Sequence, residues 1–287
     1  MAVQYMVYII VLNFNNPHIT IECLESIKGL AFDDYRVVLV DNASTDNSVE
    51  IFKQYLYSNN EIIFLTTKEN RGYAAGNNFA LRYALKQKNM KYCWILNNDT
   101  VVDRNSLSKL YDFMEANMDV GICGSKLMYD WDRNKLQGYG GYFNPVFAMV
   151  ETCKDIEMIE HIDYVIGASV FVRKEFIEDI GFMCEDYFLY CEEIDWAERA
   201  KGRYKIACVP ESIVYHKEGA STGGKDIQNR SVMSDYYLLR ARLLFTKKFY
   251  KKYLPIVYLT MLYAIFNRIK RRQYDRIWMI IKLIFKT

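Results

Sequence analysis

RVVLVDNASTDN (residues 36–47) holds four consecutive apolar positions and then a run dominated by Asp, Asn, Ser and Thr. The apolar part, Arg36–Val40, reads as a strand covered on both faces. The polar part reads as a turn whose side chains hydrogen-bond their own backbone. The same grammar recurs on either side. Upstream, Val7–Leu12 is another unbroken apolar run, and it ends in Asn13-Phe14-Asn15-Asn16. A helix is expected from Pro17, with Asn16 as N-cap and Pro at its first position. Ile21, Leu24 and Ile27 recur at helical spacing, and Gly29 can end it. Downstream, the pattern predicts a helix over 48–57, a strand over 61–65, a helix over 77–87 and a strand over 92–96. Strands alternating with helices need crossover connections, so the fold class is α/β with a mainly parallel sheet flanked by helices.

The second half is less regular. Residues 120–129 and 162–172 read as strands, 188–200 includes a helix, and 205–209 and 213–216 are short strands. From residue 240 the pattern is helical, with aromatic and basic residues interleaved. The expected division is a catalytic domain over 1–239, with a donor half to about 130 and an acceptor half over 131–239, followed by a helical tail over 240–287. Over 287 residues, 51% hydrophobic and 25% charged side chains are those of a globular chain and leave little room for disorder. Seven cysteines, an odd number without a C-x-x-C pair, argue against a disulfide framework or zinc site and fit a reducing, cytoplasmic compartment. The first residues carry no basic stretch before the apolar run, which reads as a strand and not a signal peptide. The net charge of +2 hides an asymmetry, because residues 240–287 hold thirteen Lys or Arg and a single acid, Asp275.

Ligands of open α/β sheets bind beyond the carboxyl ends of the strands. Four polar clusters stand at that edge: Asn13–Asn16, Asp41–Asn47, Asn70–Asn78 and Asn97–Asp99. Asp41 can accept from a base or ribose, or cap the next helix as an Asx turn, and the two roles are compatible. NRGYAAGNN (Asn70–Asn78) brings Arg71, two glycines, Gly72 and Gly76, that permit close backbone approach, and amides such as Asn77 that suit phosphate or sugar oxygens. Asp99, after Asn98, can hold a hard divalent cation, or cap a helix beginning near Arg104. Glu192, Glu193 and Asp195 put three carboxylates within four residues. Clustered carboxylates raise one another's pKa, as a general base requires, while Asp195 also suits an ion pair with Arg199 one helical turn on. His216, one of three histidines, ends the segment SIVYH before the Gly/Ser/Thr-rich KEGAST.

Together these segments resemble family 2 glycosyltransferases, which have the GT-A fold, from about Tyr8 to Thr222. VYIIVLNFNN resembles the family's first strand and nucleotide-contacting loop, placing Asn13 at the donor. VDNASTD resembles the segment whose aspartate contacts the base, which implies Asp41 with Asn42 and Asp46 beside it. NRGYAAGNN resembles the donor-binding loop. LNNDT stands where the family has Asp-x-Asp, with Asn97 replacing the first aspartate and Asp99 keeping the last. In the stretch that usually reads Gly-Phe-Asp-Glu, Cys184 replaces the aspartate before Glu185. Glu192-Glu193 stands where the family has Glu-Asp, whose second acid is the catalytic base, so the role falls to Glu193. VYHKEGAST resembles the closing His-x-x-Gly element, whose histidine can join the metal. The resemblance implies an inverting transfer of a sugar from a nucleotide-diphosphate donor, with Mg²⁺ or Mn²⁺ held by Asp99 and His216. Rhamnosyltransferase-like members that build bacterial surface polysaccharides look closest.

A dinucleotide-dependent oxidoreductase needs G-x-G-x-x-G after its first strand, where this chain has Asn-Phe-Asn-Asn-Pro-His. A non-catalytic binding protein on the same fold would lack the base or the metal ligand. The expected partners are a nucleotide-diphosphate sugar, a glycan or lipid-linked acceptor and, through the basic tail, the inner face of the cell membrane; nucleic acid is not expected, and an oligomer is compatible with the pattern. LPIVYLTMLYAIF (residues 254–266) is a 13-residue uncharged stretch, too short to span a bilayer, which needs about 20 residues. Flanked by bases, it suits a helix lying in the interface of an anionic leaflet, or else a helical pair packed on the catalytic domain or across a dimer with its bases solvated.

Overall fold

The computed structural model describes residues 5–217 and 231–286. β1 (Met6–Asn13) lies between β2 (Tyr35–Asp41) and β4 (Met90–Asn97), parallel to both. β3 (Ile63–Thr66) extends the parallel run beyond β2. The nine-stranded sheet runs β3-β2-β1-β4-β10-β6-β11-β5, with β7 (Asp132–Gly138) on β6. β10 (Ser169–Arg173) is antiparallel to both β4 and β6 (Val120–Tyr129). β11 (Lys205–His216) runs parallel to β6, and β5 (Thr100–Val102) closes the edge antiparallel to it. β8 (Gly140–Asn144) and β9 (Met149–Cys153) form a separate hairpin.

Period-two side chains give the sheet two buried faces. Ile10, Val38, Ile95 and Val172 pack on one side with α3 (Tyr73–Leu85), α5 (Lys174–Ile180) and α6 (Glu192–Ala200). Ile9, Leu39, Trp94 and Phe171 pack on the other with α1 (Pro17–Lys28), α2 (Ser48–Leu56) and α4 (Ser106–Ala116). Burying each such side chain contributes about 1.5–3 kcal/mol, which is why the apolar runs hold their register. That register aligns the polar strand ends: Asn13 stands opposite Asp41, and Leu12 opposite Asn97.

Several expected boundaries shift. The helix expected over 77–87 begins at Tyr73, because Gly72, at φ +94°, turns the chain into it. Asp99 does not cap a helix near Arg104; β5 intervenes and α4 starts at Ser106. The strand expected over 162–172 is confined to Ser169–Arg173, preceded by one bridge between Tyr164 and Gly141. The two short strands over 205–216 are one strand with a register slip between Val209 and Ile213, around Pro210, which has no N–H for the ladder. The boundary at 239/240 falls inside α7 (Val232–Phe249), which packs Ala241 and Phe245 against Tyr187, Ile194 and Ala197 of the preceding half. α8 (Leu254–Lys270) and α9 (Tyr274–Lys286) complete the helical tail.

Candidate functional site

At the carboxyl edge of the parallel strands the polar clusters interlock. Asn98 Nδ2 donates to Thr20 Oγ1 at 2.9 Å, and Thr20 Oγ1 donates to Asn13 Oδ1 at 2.7 Å. Asn13 Nδ2 donates to Asp41 Oδ1 at 2.9 Å. Asp41 also accepts from Ser44 Oγ at 2.6 Å and Ser44 N at 2.9 Å, so its Asx turn is real. Ala43 and Asn15 take left-handed backbone, and their loops are tied by Thr45 N donating to Asn15 Oδ1 at 2.8 Å. Asn42 Nδ2 reaches Asn70 Oδ1 at 3.0 Å, joining the third cluster. A buried polar chain of this length fixes each member's rotamer.

The loop glycines also serve the packing of the protein itself. A Cβ on Gly72 would lie 2.2 Å from Phe188 O, and one on Gly76 would press on Leu12 and approach Asn42 Nδ2. Both close approaches are therefore to protein, and Tyr73 N donates to Phe188 O at 2.9 Å. Asp46 is taken up by Ser48 N at the start of α2. Arg71 is exposed and pairs loosely with Glu69 and Glu185. Asn77 Nδ2 bonds Tyr73 O at 3.0 Å, and its Oδ1 is buried without a partner.

Antiparallel pairing of β5 with β11 sets His216 opposite Thr100, beside Asp99. His216 Nε2 lies 3.2 Å from Asp99 Oδ1, and its Nδ1 lies 3.1 Å from Gln137 Oε1. An amide oxygen only accepts, so the tautomer that bonds Gln137 through Nδ1–H turns the lone pair of Nε2 toward Asp99. Two donor atoms cis on an octahedral Mg²⁺ or Mn²⁺, at about 2.1 Å each, are about 3 Å apart. The pair fits a shared cation that takes its other ligands from a diphosphate and water. Among the described residues no group of three His, Cys, Asp or Glu converges on one point. Lys217 N bonds Asp99 O at 2.9 Å; beyond it, residues 218–230, with the rest of KEGAST, lie outside the described residues.

Glu192 and Glu193 open α6 after two residues in left-handed backbone, Tyr190 and Cys191. Such a pair costs of order 1–3 kcal/mol per residue and persists only where packing imposes it. Burial raises the Glu193 carboxyl above the usual range, although the amides of Gly167 and Glu193 itself favour its charged form. Glu192 is 2% exposed with Oε1 unpartnered, and burial and the Glu193 charge push its carboxyl well up. Asp195 is otherwise committed: Arg199 Nε at 2.7 Å, Lys248 Nζ at 2.6 Å and Tyr187 Oη at 3.2 Å occupy its carboxylate. Its geometry is that of the ion pair with Arg199, extended to α7, and not of a proton acceptor.

The two halves meet at Tyr73, which the sequence reading passed over in favour of the glycines around it. Its hydroxyl donates to Gly167 O at 2.8 Å. Burial first, then the charges of Glu193, Glu192 and Asp99, raises its pKa. Glu193 Oε1 and the Tyr73 hydroxyl both stand against Gly167, 3.5 and 3.7 Å from where a Cβ on it would lie, and burial together with the Glu193 charge raises the pKa of the Tyr164 hydroxyl as well. Thr20 and Gln137 were likewise missed, since Thr20 is joined to Asn98 and Gln137 to His216 across long stretches of chain, and Ser44 was passed over inside its polar run.

Comparison with known proteins gives the family and the fold. The family model described as "Glycosyl transferase family 2" matches residues 8–181. The chain is 23% identical over 199 residues to the low-salt glycan biosynthesis hexosyltransferase Agl10 of Haloferax volcanii, covering 67% of this chain and 61% of that protein. It is 22% identical over 214 residues to the poly-beta-1,6-N-acetyl-D-glucosamine synthase of Staphylococcus aureus, covering 74% and 50%. The chain thus spans about half to three fifths of the length of the curated relatives it matches. In fold it is similar to the mannosyltransferase PcManGT of Pyrobaculum calidifontis, solved with GDP-Man and Mn²⁺, at a TM-score of 0.61, with 15% identity and coverage of 99% and 75% of the two chains.

Proposed function

The chain belongs to glycosyl transferase family 2, and on that premise we propose that it is an inverting hexosyltransferase with Glu193 as its base. The donor is a nucleotide-diphosphate sugar, with rhamnose or another hexose transferred, and the acceptor is a glycan or lipid-linked hydroxyl in surface polysaccharide or glycolipid synthesis. Residues up to about 130 bind the donor and those after it, now including α7, face the acceptor. The observation that carries this reading is the half-buried Glu193 carboxylate standing with the Tyr73 hydroxyl against Gly167, while Asp99, whose charge also acts on Tyr73, pairs with His216 at 3.2 Å.

In the reaction, the acceptor oxygen forms a bond to the anomeric carbon while the bond from that carbon to the diphosphate oxygen breaks. The acceptor proton passes to Glu193, and a raised pKa makes the carboxylate a stronger base near neutrality. Glu193 accepts in line with the amides of Gly167 and α6, which hold it in place before and after protonation. The Asn13–Asp41–Asn42 chain orients base and ribose, with Asp41 sharing its carboxylate between its own turn and the nucleotide. Asp99 and His216 would hold Mg²⁺ or Mn²⁺, which supplies positive charge against the leaving diphosphate. A lipid-linked acceptor would be met at the inner face of the cell membrane.

The test is Glu193→Gln, assayed for turnover and, by calorimetry, for binding of nucleotide-diphosphate sugars. Donor affinity should stay within about two-fold while turnover falls at least about 100-fold, the scale of general-base catalysis. Turnover at the native rate would remove Glu193 from the mechanism and turn the search to Glu192 and then Asp195, whose carboxylate Arg199 and Lys248 already occupy. Full donor binding with no turnover by the native chain on any acceptor would favour a binding protein.

A further inference from the structure

The C-terminal helices bury one side of themselves and leave another bare. Leu239, Leu243, Val257, Met261, Ile280 and Leu283 form a core of their own, closed by Ala148 between β8 and β9. Outside it, α8 presents Leu259, Leu262, Tyr263, Phe266 and Ile269, and α9 presents Trp278 and Phe285. Steps of three and four residues put the α8 set on one helix face. Phe266 is 54% and Trp278 62% exposed, so this is not a buried seam. Lys251 and Lys252 precede α8, Lys270, Arg271 and Arg272 form the turn into α9, and Lys282 stands on α9, all exposed.

This face has a fixed orientation relative to the candidate site. Asp235, in the first turn of α7, accepts from Arg268 Nη2 and Arg276 Nη1, each at 2.6 Å. Its neighbour Ser234 meets the Tyr190 hydroxyl at 2.6 Å, and Tyr237 stacks on Phe188 with centroids 4.3 Å apart. The turn between α8 and α9 is thereby clamped to the end of α7 that supports the loop before Glu192 and Glu193.

We infer that the α8–α9 face is a docking surface for an anionic bilayer, set so that its basic corner lies on the side of the loop that leads into Glu192 and Glu193. Charge decides the occupant. A second copy docked by two-fold symmetry would set this basic rim against itself. A bilayer interface supplies apolar depth for the stripe, headgroup depth for Trp278 and Tyr263, and phosphate for the bases. No described helix is long and apolar enough to cross a membrane, so the contact lies in the interface. Docking brings a lipid-anchored acceptor to the base, a consequence that rests on the glycosyltransferase reading; the docking itself does not.

The experiment is sedimentation of the full chain with phosphatidylcholine vesicles, with and without phosphatidylglycerol. Binding is expected only to the anionic vesicles, weakening at least about ten-fold in high salt as the rim is screened. Phe266→Asp with Trp278→Asp should abolish it, with the fold checked by circular dichroism and donor calorimetry. Arg271→Glu with Arg272→Glu should weaken it at low salt. Brominated lipid should quench tryptophan emission in the native chain and much less in Trp278→Phe. No binding by the folded chain at low salt overturns the inference. So does binding indifferent to the Phe266 and Trp278 changes, or a dimer in light scattering that those changes dissolve without any vesicle binding. Vesicle binding alongside native turnover of Glu193→Gln would keep the docking face and discard the base.

Discussion

Glu192 and Glu193 are neighbours in sequence and differently housed, and the difference has two measurable consequences. Burial raises both carboxyls, so the folded chain holds these protons more tightly than the unfolded one. Below the unfolded carboxyl pKa both states are protonated and the pair costs nothing. As pH rises from there through the raised folded values, stability is lost. Glu192→Gln should therefore raise the melting temperature at neutral pH and leave it unchanged at about pH 4, where the carboxyl is already neutral; calorimetric scans at the two pH values check it. The same shift moves the acid limb of turnover, since Glu193 must be ionised to accept a proton: activity should fall at a pH above that of an ordinary glutamate. A chemistry of charge also governs His216. With Nδ1 beside Gln137, its Nε2 faces Asp99 Oδ1, the pair that would hold the proposed cation. EDTA should abolish turnover, with Mn²⁺ or Mg²⁺ restoring it, and His216→Ala should raise the metal concentration for half-activity about 10- to 100-fold. Full turnover in EDTA would remove the metal role from both residues.

Gly72 shows how an element boundary can matter more than the loop it ends. The chain must turn there at φ +94° while Phe188 O fills the space a side chain would take, at 2.2 Å from a Cβ. Gly72→Ala should cost at least about 2 kcal/mol in urea unfolding, from strain and from displacement of the Phe188 loop. Turnover should fall with it, because that loop leads into α6; native stability would mean the loop moves freely. The strands β1, β2 and β4 were legible because unbroken apolar runs ending in Asn and Asp are local signals, and α7 to α9 because their apolar spacing is helical. The β7 to β9 segment was not, since residues 132–153 carry polar, glycine and aromatic positions in no regular alternation. The meeting of Asp99 with His216 was legible only by resemblance. It depends on a three-strand exchange, β6 with β11 and β11 with β5, between segments that no local pattern connects. Tyr73 went unread for a related reason: its partner, the Gly167 carbonyl, sits on a turn where an extended strand was expected.

At the scale of the whole molecule, the C-terminal helices are held to the preceding half by the apolar packing of α7 and by a few charged contacts. Lys248 reaches Asp195, Tyr250 bonds Glu198 at 2.7 Å, and Arg242 donates to the carbonyls of Phe147 and Ala148. Within the trio, α8 and α9 are fastened to α7 by one buried carboxylate, Asp235, serving Arg268 and Arg276. All three side chains are at most 14% exposed, so the cluster is largely removed from water and from screening by salt. Removing one partner of a buried charge group typically costs 3–5 kcal/mol, because what remains has charge without compensation. Asp235→Ala takes away the carboxylate that both guanidinium groups share, and the loss falls on the α8–α9 packing and not on the sheet. The expected outcome is local: amide exchange in α8 and α9 accelerates at least about 100-fold, the exchange equivalent of about 3 kcal/mol, while β1, β2 and β4 keep their protection. Donor affinity by calorimetry should be unchanged, since Asn13 and Asp41 touch none of this. Vesicle binding should weaken, because a face needs its two helices in fixed relation, and turnover should fall in kcat more than in donor KM through Ser234 and the Tyr190 loop. Uniform loss of protection across sheet and tail would show instead that the molecule unfolds as one unit, with Asp235 part of a single core.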